Sequence, residues 1–507
     1  MGEPSSYWLT RFVVLRLLGL VYFVAFLSLS RQVLPLIGAQ GLLPVGIFLQ
    51  RLETHFGSRL EAFLQYPSLF WLGASDPLLM ALACVGIALS LLVLLGYANA
   101  IMMALLWAIY LSFVHIGQDW YGYGWEIQLL ETGFLAIFLC PLLDGRPFPR
   151  RPPPAPVVWL LRWLIFRIML GAGLIKLRGD PCWRDLTCLY YHYETQPIPN
   201  PLSRTLHFMP HWFQKLGALF NHVSELIAPW FIFGPRVARH VAGAVLLAFQ
   251  ITLILSGNLS FLNYLTIVPI LACFDDSLLR RVLPRRLVER ADGAARDARP
   301  SKLQEVAVVA LVAVVAVLSV SPVRNLMSAR QAMNTSFNRL ELVNTYGAFG
   351  SVGRTRPEII FEGTDDPVVT ERTFWTAYEF KCKPGDPRRR PCVVSPYHYR
   401  LDWQIWFAAM SSPDRYPWTV HLVWKLLHND PGALSLLANN PFAKAPPRYI
   451  RAELYRYEFA PPGEPDGAWW RRTPLGLWLP PLSVDDPRLQ RYLALHGWIS
   501  GDVPVVP

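Results

Sequence analysis

The chain has 507 residues, 53% of them hydrophobic and only 16% charged, with a net charge of +11. Soluble globular domains carry about 25% charged residues, so this composition argues against a wholly soluble protein. The basic residues sit at the ends of apolar runs and in one connecting loop, the pattern of a membrane protein and not of a nucleic-acid binder.

In chain order, nine apolar segments are expected to cross the membrane: 11–30, 78–97, 99–117, 124–143, 157–177, 213–233, 237–256, 259–275 and 305–321. The first lacks a small-residue cleavage site and is expected to act as a span, not a cleaved signal. Segment 213–233 is the weakest, since it carries Lys215, His222 and Glu225; an amphipathic helix lying in the interface is its other reading.

Loop charge sets the expected orientation. Arg146, Arg150 and Arg151 fall in one loop, Arg236 and Arg239 in another, and Arg280 through Lys302 in a third. With nine spans and a cytoplasmic N-terminus all three loops lie inside, as the positive-inside rule requires. The organisation expected is a polytopic helical membrane domain at 1–279, a basic cytoplasmic linker at 280–304, a last span at 305–321 and an outer, β-rich domain at 330–507.

Residues 179–201, within an outer loop at 178–212, form a polar and aromatic island between apolar runs. Trp183, Arg184, Asp185, His192 and Glu194 are its candidate binding residues. Cys182 and Cys188 stand here, and Cys382 and Cys392 in the outer domain. Two near pairs on an oxidising side read as disulfides. A metal site is the rival reading, but neither spacing is the C-x-x-C of zinc sites, and no metal or cofactor is expected.

Charged groups at membrane depth are costly and pair with one another or face a cavity. Matching depths pair Glu131 with Arg167 and Glu126 with Lys176, as structural ties between neighbouring helices. The other reading is a polar cavity opening outward beneath the island, with His192, His207, His211, His222 and Glu225 at its mouth.

In the outer domain, stretches 358–361, 373–380, 392–395 and 449–459 read as strands, and 418–438 and 487–497 as helices. A small β-sandwich or barrel with accessory helices is expected. Trp403 and Trp406, with Trp469 and Trp470, are candidates for contact with a hydrophobic partner. The chain contains no P-loop, dinucleotide fingerprint, nucleophile elbow or H-E-x-x-H motif, and no catalytic residue is assigned.

Several strings carry a resemblance. They are Gly179-Asp180-Pro181-Cys182-Trp183-Arg184-Asp185-Leu186-Thr187 with His192-Tyr193-Glu194-Thr195-Gln196-Pro197, Ser256-Gly257-Asn258-Leu259-Ser260-Phe261-Leu262-Asn263, and Ala272-Cys273-Phe274-Asp275-Asp276. Asn344-Thr345-Tyr346-Gly347, Glu362-Gly363-Thr364 and Arg400-Leu401-Asp402-Trp403-Gln404 continue the pattern. Over about residues 7–500 the chain resembles the lipase maturation factor family. The resemblance implies an integral protein of the endoplasmic reticulum membrane in animals, with a lumenal C-terminal domain. It implies a role in folding and assembly of secreted dimeric lipases such as lipoprotein lipase.

The Arg/Ala/Pro-rich linker at 280–300 and an end, Val503-Pro504-Val505-Val506-Pro507, without a retrieval signal fit a bacterial cytoplasmic membrane as the other location. There the island and outer domain would be periplasmic. A second functional reading is an enzyme. The membrane half distantly resembles the group of the vitamin K-dependent carboxylase and DoxX-type proteins, some of which act with quinones. Lys176, His192, Glu194 and Glu225 would then line an active cavity. An enzyme should bring Lys176, Glu131, His192 and Glu225 together in a deep polar pocket; a folding factor should present a groove with apolar and aromatic walls.

Overall fold

The computed structural model describes residues 6–499, so the string 503–507 lies outside the described residues. Among the described residues, five helices are long and apolar enough to cross a membrane: Trp8–Ile37, Asp76–Leu95, Ala155–Arg178, Arg236–Ser256 and Lys302–Met327. A sixth crossing results if the pair Leu262–Cys273 and Asp276–Val282, bent by 118°, is one span. The expected count of nine exceeds this. Ala100–Ile116 and Gly124–Leu139 are apolar but short, and a π-helical turn at Val223–Ile227 interrupts the helix that begins at His211–His222.

Helices Trp8–Ile37 and Asp76–Leu95 pack most closely where glycines stand. A Cβ on Gly19 would lie 2.6 Å from the Leu94 backbone nitrogen, and one on Gly86 would lie 2.4 Å from the Phe26 ring. Without a hydrophobic drive between helices in lipid, such small residues let them approach. The first helix starts under a cap from far along the chain. The Asp276 carboxylate accepts from the Ser6 hydroxyl at 2.7 Å and from the backbone N–H groups of Trp8 and Leu9 at 2.9 Å, satisfying donors that a helix N-terminus leaves open.

The basic loops gather at this same end. Arg11 donates to the Arg151 carbonyl at 2.7 Å, Arg151 to the Arg299 carbonyl at 2.6 Å, and Arg239 to Asp275 at 2.7 Å. The island and the C-terminal region occupy the opposite end, where Asp180 pairs with Arg354 at 2.8 Å.

The C-terminal region begins with a two-stranded ribbon, β1 (Thr335–Ser336) and β2 (Asn344–Thr345). One four-stranded antiparallel sheet follows, of β3 (Arg356–Thr364), β4 (Thr376–Ala377), β5 (Tyr449–Phe459) and β6 (Trp470–Leu482), in the order β4-β3-β5-β6. Side chains alternate across β3. Ile359 and Phe361 join the main core, while Ile360 packs with Tyr457, Phe459 and Trp470 on the other face.

The expected sandwich is therefore a single sheet among the described residues, covered by the helix Arg400–Ala409 and not by a second sheet. Stretch 373–380 yields only β4, and 392–395 forms no strand. There Asn258 of the membrane half takes the place of a neighbouring strand. It accepts from the N–H of Val394 at 2.9 Å and of Ser395 at 3.2 Å, and donates to the Cys392 carbonyl at 2.9 Å.

Buried polar ties join the two halves. Glu131 is paired with Arg167, and its carboxylate also accepts from the Tyr346 hydroxyl at 2.7 Å and the Asn344 N–H at 3.0 Å. Arg167 donates in turn to the Asn344 carbonyl at 2.6 Å. Glu126 does not pair with Lys176 as expected. Its partner is Arg400 at 2.8 Å, both side chains being fully buried, with Trp125 donating at 3.0 Å and Tyr110 completing the shell. Arg356 donates to the carbonyls of Glu194 at 2.9 Å and Pro197 at 2.8 Å, and also to Gln196.

Stranding one member of a buried pair costs about 3–5 kcal/mol. Arg400→Ala should therefore lower the melting temperature in detergent sharply, and Glu126→Gln with Arg400→Met should recover part of the loss. An unchanged melting temperature for Arg400→Ala would remove this tie from the account. Glu341 gives a pH signature at the same seam. Burial, and then the Glu126 charge, push its carboxyl from 4.5 up to about 7. The native state thus holds the proton more tightly than the unfolded chain. Its contribution is full below about pH 4.5 and is lost as pH rises through about 7. Melting curves between pH 5 and 8 should fall less steeply for Glu341→Gln than for the parent; parallel curves would refute the assignment.

Candidate functional site

The island folds back on itself through local rules. Asp180 caps the turn Pro181–Arg184, accepting from the Cys182 N–H at 3.0 Å, and the Cys182–Cys188 disulfide closes the reversal with α-carbons 4.8 Å apart. Helix Leu189–Thr195 then carries His192 and Glu194 inward. Asp180 and the two sulfurs lie within 4.8 Å of one another, a set with metal-ligand chemistry only as thiolates. Here the disulfide takes both sulfurs and Arg354 takes the carboxylate. Cys382 and Cys392 form the second disulfide, with α-carbons 5.5 Å apart.

Below the island lies a buried charged group. The Lys176 ammonium donates to Glu225 at 2.6 Å and to the Asn221 side-chain oxygen at 2.9 Å, and Asn221 donates to the other Glu225 oxygen at 3.0 Å. The Trp183 ring lies 4.9 Å from the ammonium. Glu225 belongs to the π-helical turn Val223–Ile227. Such turns insert a residue into a helix and recur at functional sites.

Beside this group, at the seam between the halves, is a cavity of about 440 Å³. Ile168, Met169, Phe249 and Leu253 of the membrane helices form its apolar side; Phe349, Trp403 and Trp406 close it from the C-terminal region. Four polar groups on the wall are paired with one another. Gln128 donates to Thr266 at 3.1 Å, and Asn263 to Gln250 at 2.9 Å. His192 also lines the cavity, its ring edge-on to Phe349 with centroids 4.7 Å apart. Burial, reinforced by the Lys176 charge, pushes the imidazole down to about 4, so it is neutral at pH 7.

The structure sorts the residues singled out from sequence. Trp183, expected at a binding surface, is 2% exposed and donates to the Phe349 carbonyl at 2.8 Å, so its ring is part of the core. Arg184 and Asp185 are exposed. Glu194 is buried and accepts from the Phe459 N–H at 2.7 Å, a tie to the sheet. Trp403 stacks edge-on against Trp125, and Trp406 donates to the Thr195 carbonyl at 3.1 Å; both rings face the cavity. The convergence expected of an enzyme is divided in two. Glu131 is enclosed by Arg167, Asn344 and Tyr346, while Lys176 and Glu225 form a separate group.

The residues not anticipated as part of a site are Gln128, Gln250, Asn263 and Phe349. The first three carried a usable signal, since a carboxamide inside an apolar run faces a partner or a cavity. Phe349 carried none; it reaches the cavity because the chain after β2 folds beneath the island.

Comparison with known proteins agrees with this architecture. The model of the lipase maturation factor transmembrane domain matches residues 9–281, and that of the lipase maturation factor C-terminal domain matches residues 342–480. Lipase maturation factor 1 of Bos taurus is 51% identical, over 98% of this chain and 93% of its own length. The Homo sapiens protein of that name is 50% identical over 98% and 92%. Lipase maturation factor 2 of Xenopus laevis is 30% identical over 98% and 85%. No solved structure matches. The chain is an integral membrane protein and belongs to the lipase maturation factor family.

Proposed function

We propose that this protein is a membrane-embedded maturation factor that assists secreted proteins, dimeric lipases among them, on the side of the membrane where its C-terminal domain lies. The names of its relatives support the role. The orientation proposed has the N-terminus in the cytoplasm and nine crossings. The island and C-terminal domain then lie in the endoplasmic reticulum lumen, or in the periplasm if the source is bacterial. Basic loops clustered at one end, and two disulfides at the other, support it.

The observation that carries the binding reading is the make-up of the seam. Its ions are neutralised within the protein, and what it offers to an incoming chain is apolar and aromatic. Met410 and Met333 line the cavity with exposures of 52% and 43%. Flexible, polarisable methionines suit a surface that must accept more than one sequence. Incompletely folded clients expose the apolar segments such a rim would hold.

A photoreactive residue at Met410 should crosslink a co-expressed secreted lipase before it assembles. The same probe at Phe374, an exposed ring of the C-terminal region that does not line the cavity, should capture several-fold less. Equal capture at the two positions, or none at Met410, would defeat the reading. Lys176→Met tests the enzyme alternative through lipase yield at matched expression; an undiminished yield counts against Lys176 chemistry.

A further inference from the structure

The cavity at the seam has a feature that client binding at its rim does not use. His192 is 7% exposed, its ring lines the cavity, and neither ring nitrogen makes a hydrogen bond among the described residues. Among the described residues no protein group pairs with the imidazole, and the Tyr123 hydroxyl on the same wall is buried without a partner, so the two point to a ligand with a hydroxyl or carbonyl group. The remaining polar groups tell what charge that ligand carries. Lys176 and Glu225 cancel, and Gln128, Gln250, Asn263 and Thr266 are uncharged and paired. An ionised phosphate or carboxylate head would enter a low-dielectric space without a free counter-ion, at a large desolvation cost.

Size and depth describe the rest of the molecule. At about 440 Å³ the cavity falls toward the lower end of the roughly 300–1,000 Å³ of sites that take one small ligand. That suits a single acyl chain with a small head. Gln128 lies four residues, about 6 Å, from the start of Gly124–Leu139. Met169 lies nine residues, about 14 Å, from the end of Ala155–Arg178. The cavity thus descends from the level of lipid headgroups into that of the chains.

We propose that this cavity binds a neutral single-chain amphiphile, its chain between Ile168, Met169, Phe249 and Leu253 and its hydroxyl- or carbonyl-bearing head at His192. The site requires no client. It would be occupied in the protein alone, and its loss would leave crosslinking at Met410 as a separate observable.

The test uses the full chain in phosphatidylcholine nanodiscs with a diazirine-bearing 1-myristoylglycerol as probe, crosslinked peptides being mapped by mass spectrometry. Saturable labelling is expected on the segment bearing Phe249 and Leu253 and on that bearing Trp406. Unlabelled 1-myristoylglycerol should compete, and myristate should compete at least tenfold less well. Ala172→Phe, which fills the cavity from its wall, should lower saturable labelling about tenfold, and His192→Phe should weaken affinity about fivefold. Ile168→Phe serves as the second filling variant where Ala172→Phe lowers the melting temperature. Three results would overturn the proposal: labelling confined to exposed Trp212, Trp230 and Phe231, labelling unchanged in well-folded filling variants, or myristate competing equally.

Discussion

Two carboxylates on one short helix constrain the rest of this molecule. Glu126 and Glu131 both lie on Gly124–Leu139 and are 0% and 1% exposed, inside a segment otherwise rich in apolar residues. An unpaired charge at such depth is not sustainable, so each must meet a cation and further donors. The membrane half supplies Arg167 for Glu131; the C-terminal region supplies Arg400 for Glu126, together with the Asn344 N–H and Tyr346 hydroxyl for Glu131. The helix is therefore not satisfied until residues more than 200 positions later have folded onto it. The two halves are linked by a folding requirement and not only by contact.

The strings that carry the family resemblance are, in large part, the parts of this seam. Asn344 and Tyr346 hold Glu131; Arg400 holds Glu126; Asn258 replaces a strand for 392–395; Asp180 anchors Arg354. At the far end Asp276 caps the first helix and Asp275 binds Arg236 and Arg239. Such strings need not mark a substrate site. They mark places where backbone or charge must be satisfied across a long sequence separation, where no other residue type would serve as well.

This explains which features were legible in the sequence. Glu131 and Arg167 sit on consecutive helices at matching depth, so depth alone pairs them. The same logic sends Glu126 to Lys176, because nothing local reveals that Arg400, in a soluble segment 274 residues away, reaches the membrane helix. Lys176 finds Glu225 instead, in a helix whose polar residues made it the weakest span. Strand 449–459 is legible from its β-branched and aromatic residues. Strand β6 is not, since Pro474, Gly476, Pro480 and Pro481 read as breakers, yet an edge strand tolerates them because one side needs no partner. A β-sandwich is a fair inference from such composition, but one face of β3 is met by Arg400–Ala409, the helix whose arginine goes down to Glu126.

The cavity follows from the same geometry. A helix continuing to the level of Ser256 would close the bundle at this end, but residues 257–261 are not helical and the next helix starts only at Leu262, on the cavity wall. The loop at 346–353 and the helix Arg400–Ala409 cover the resulting gap, held there by the two glutamate ties. Because those ties fix the lid by polar contacts beside the cavity and not through it, the space beneath need not be filled by side chains. Its carboxamides pair along the wall, leaving the middle apolar and His192 open at the top. A seam fixed at its edges by buried ion pairs needs no side chains across its centre to hold the two halves together. In the proposed role of holding partly folded chains at the rim, this separates the rigidity of the platform from the adaptability of its exposed methionines.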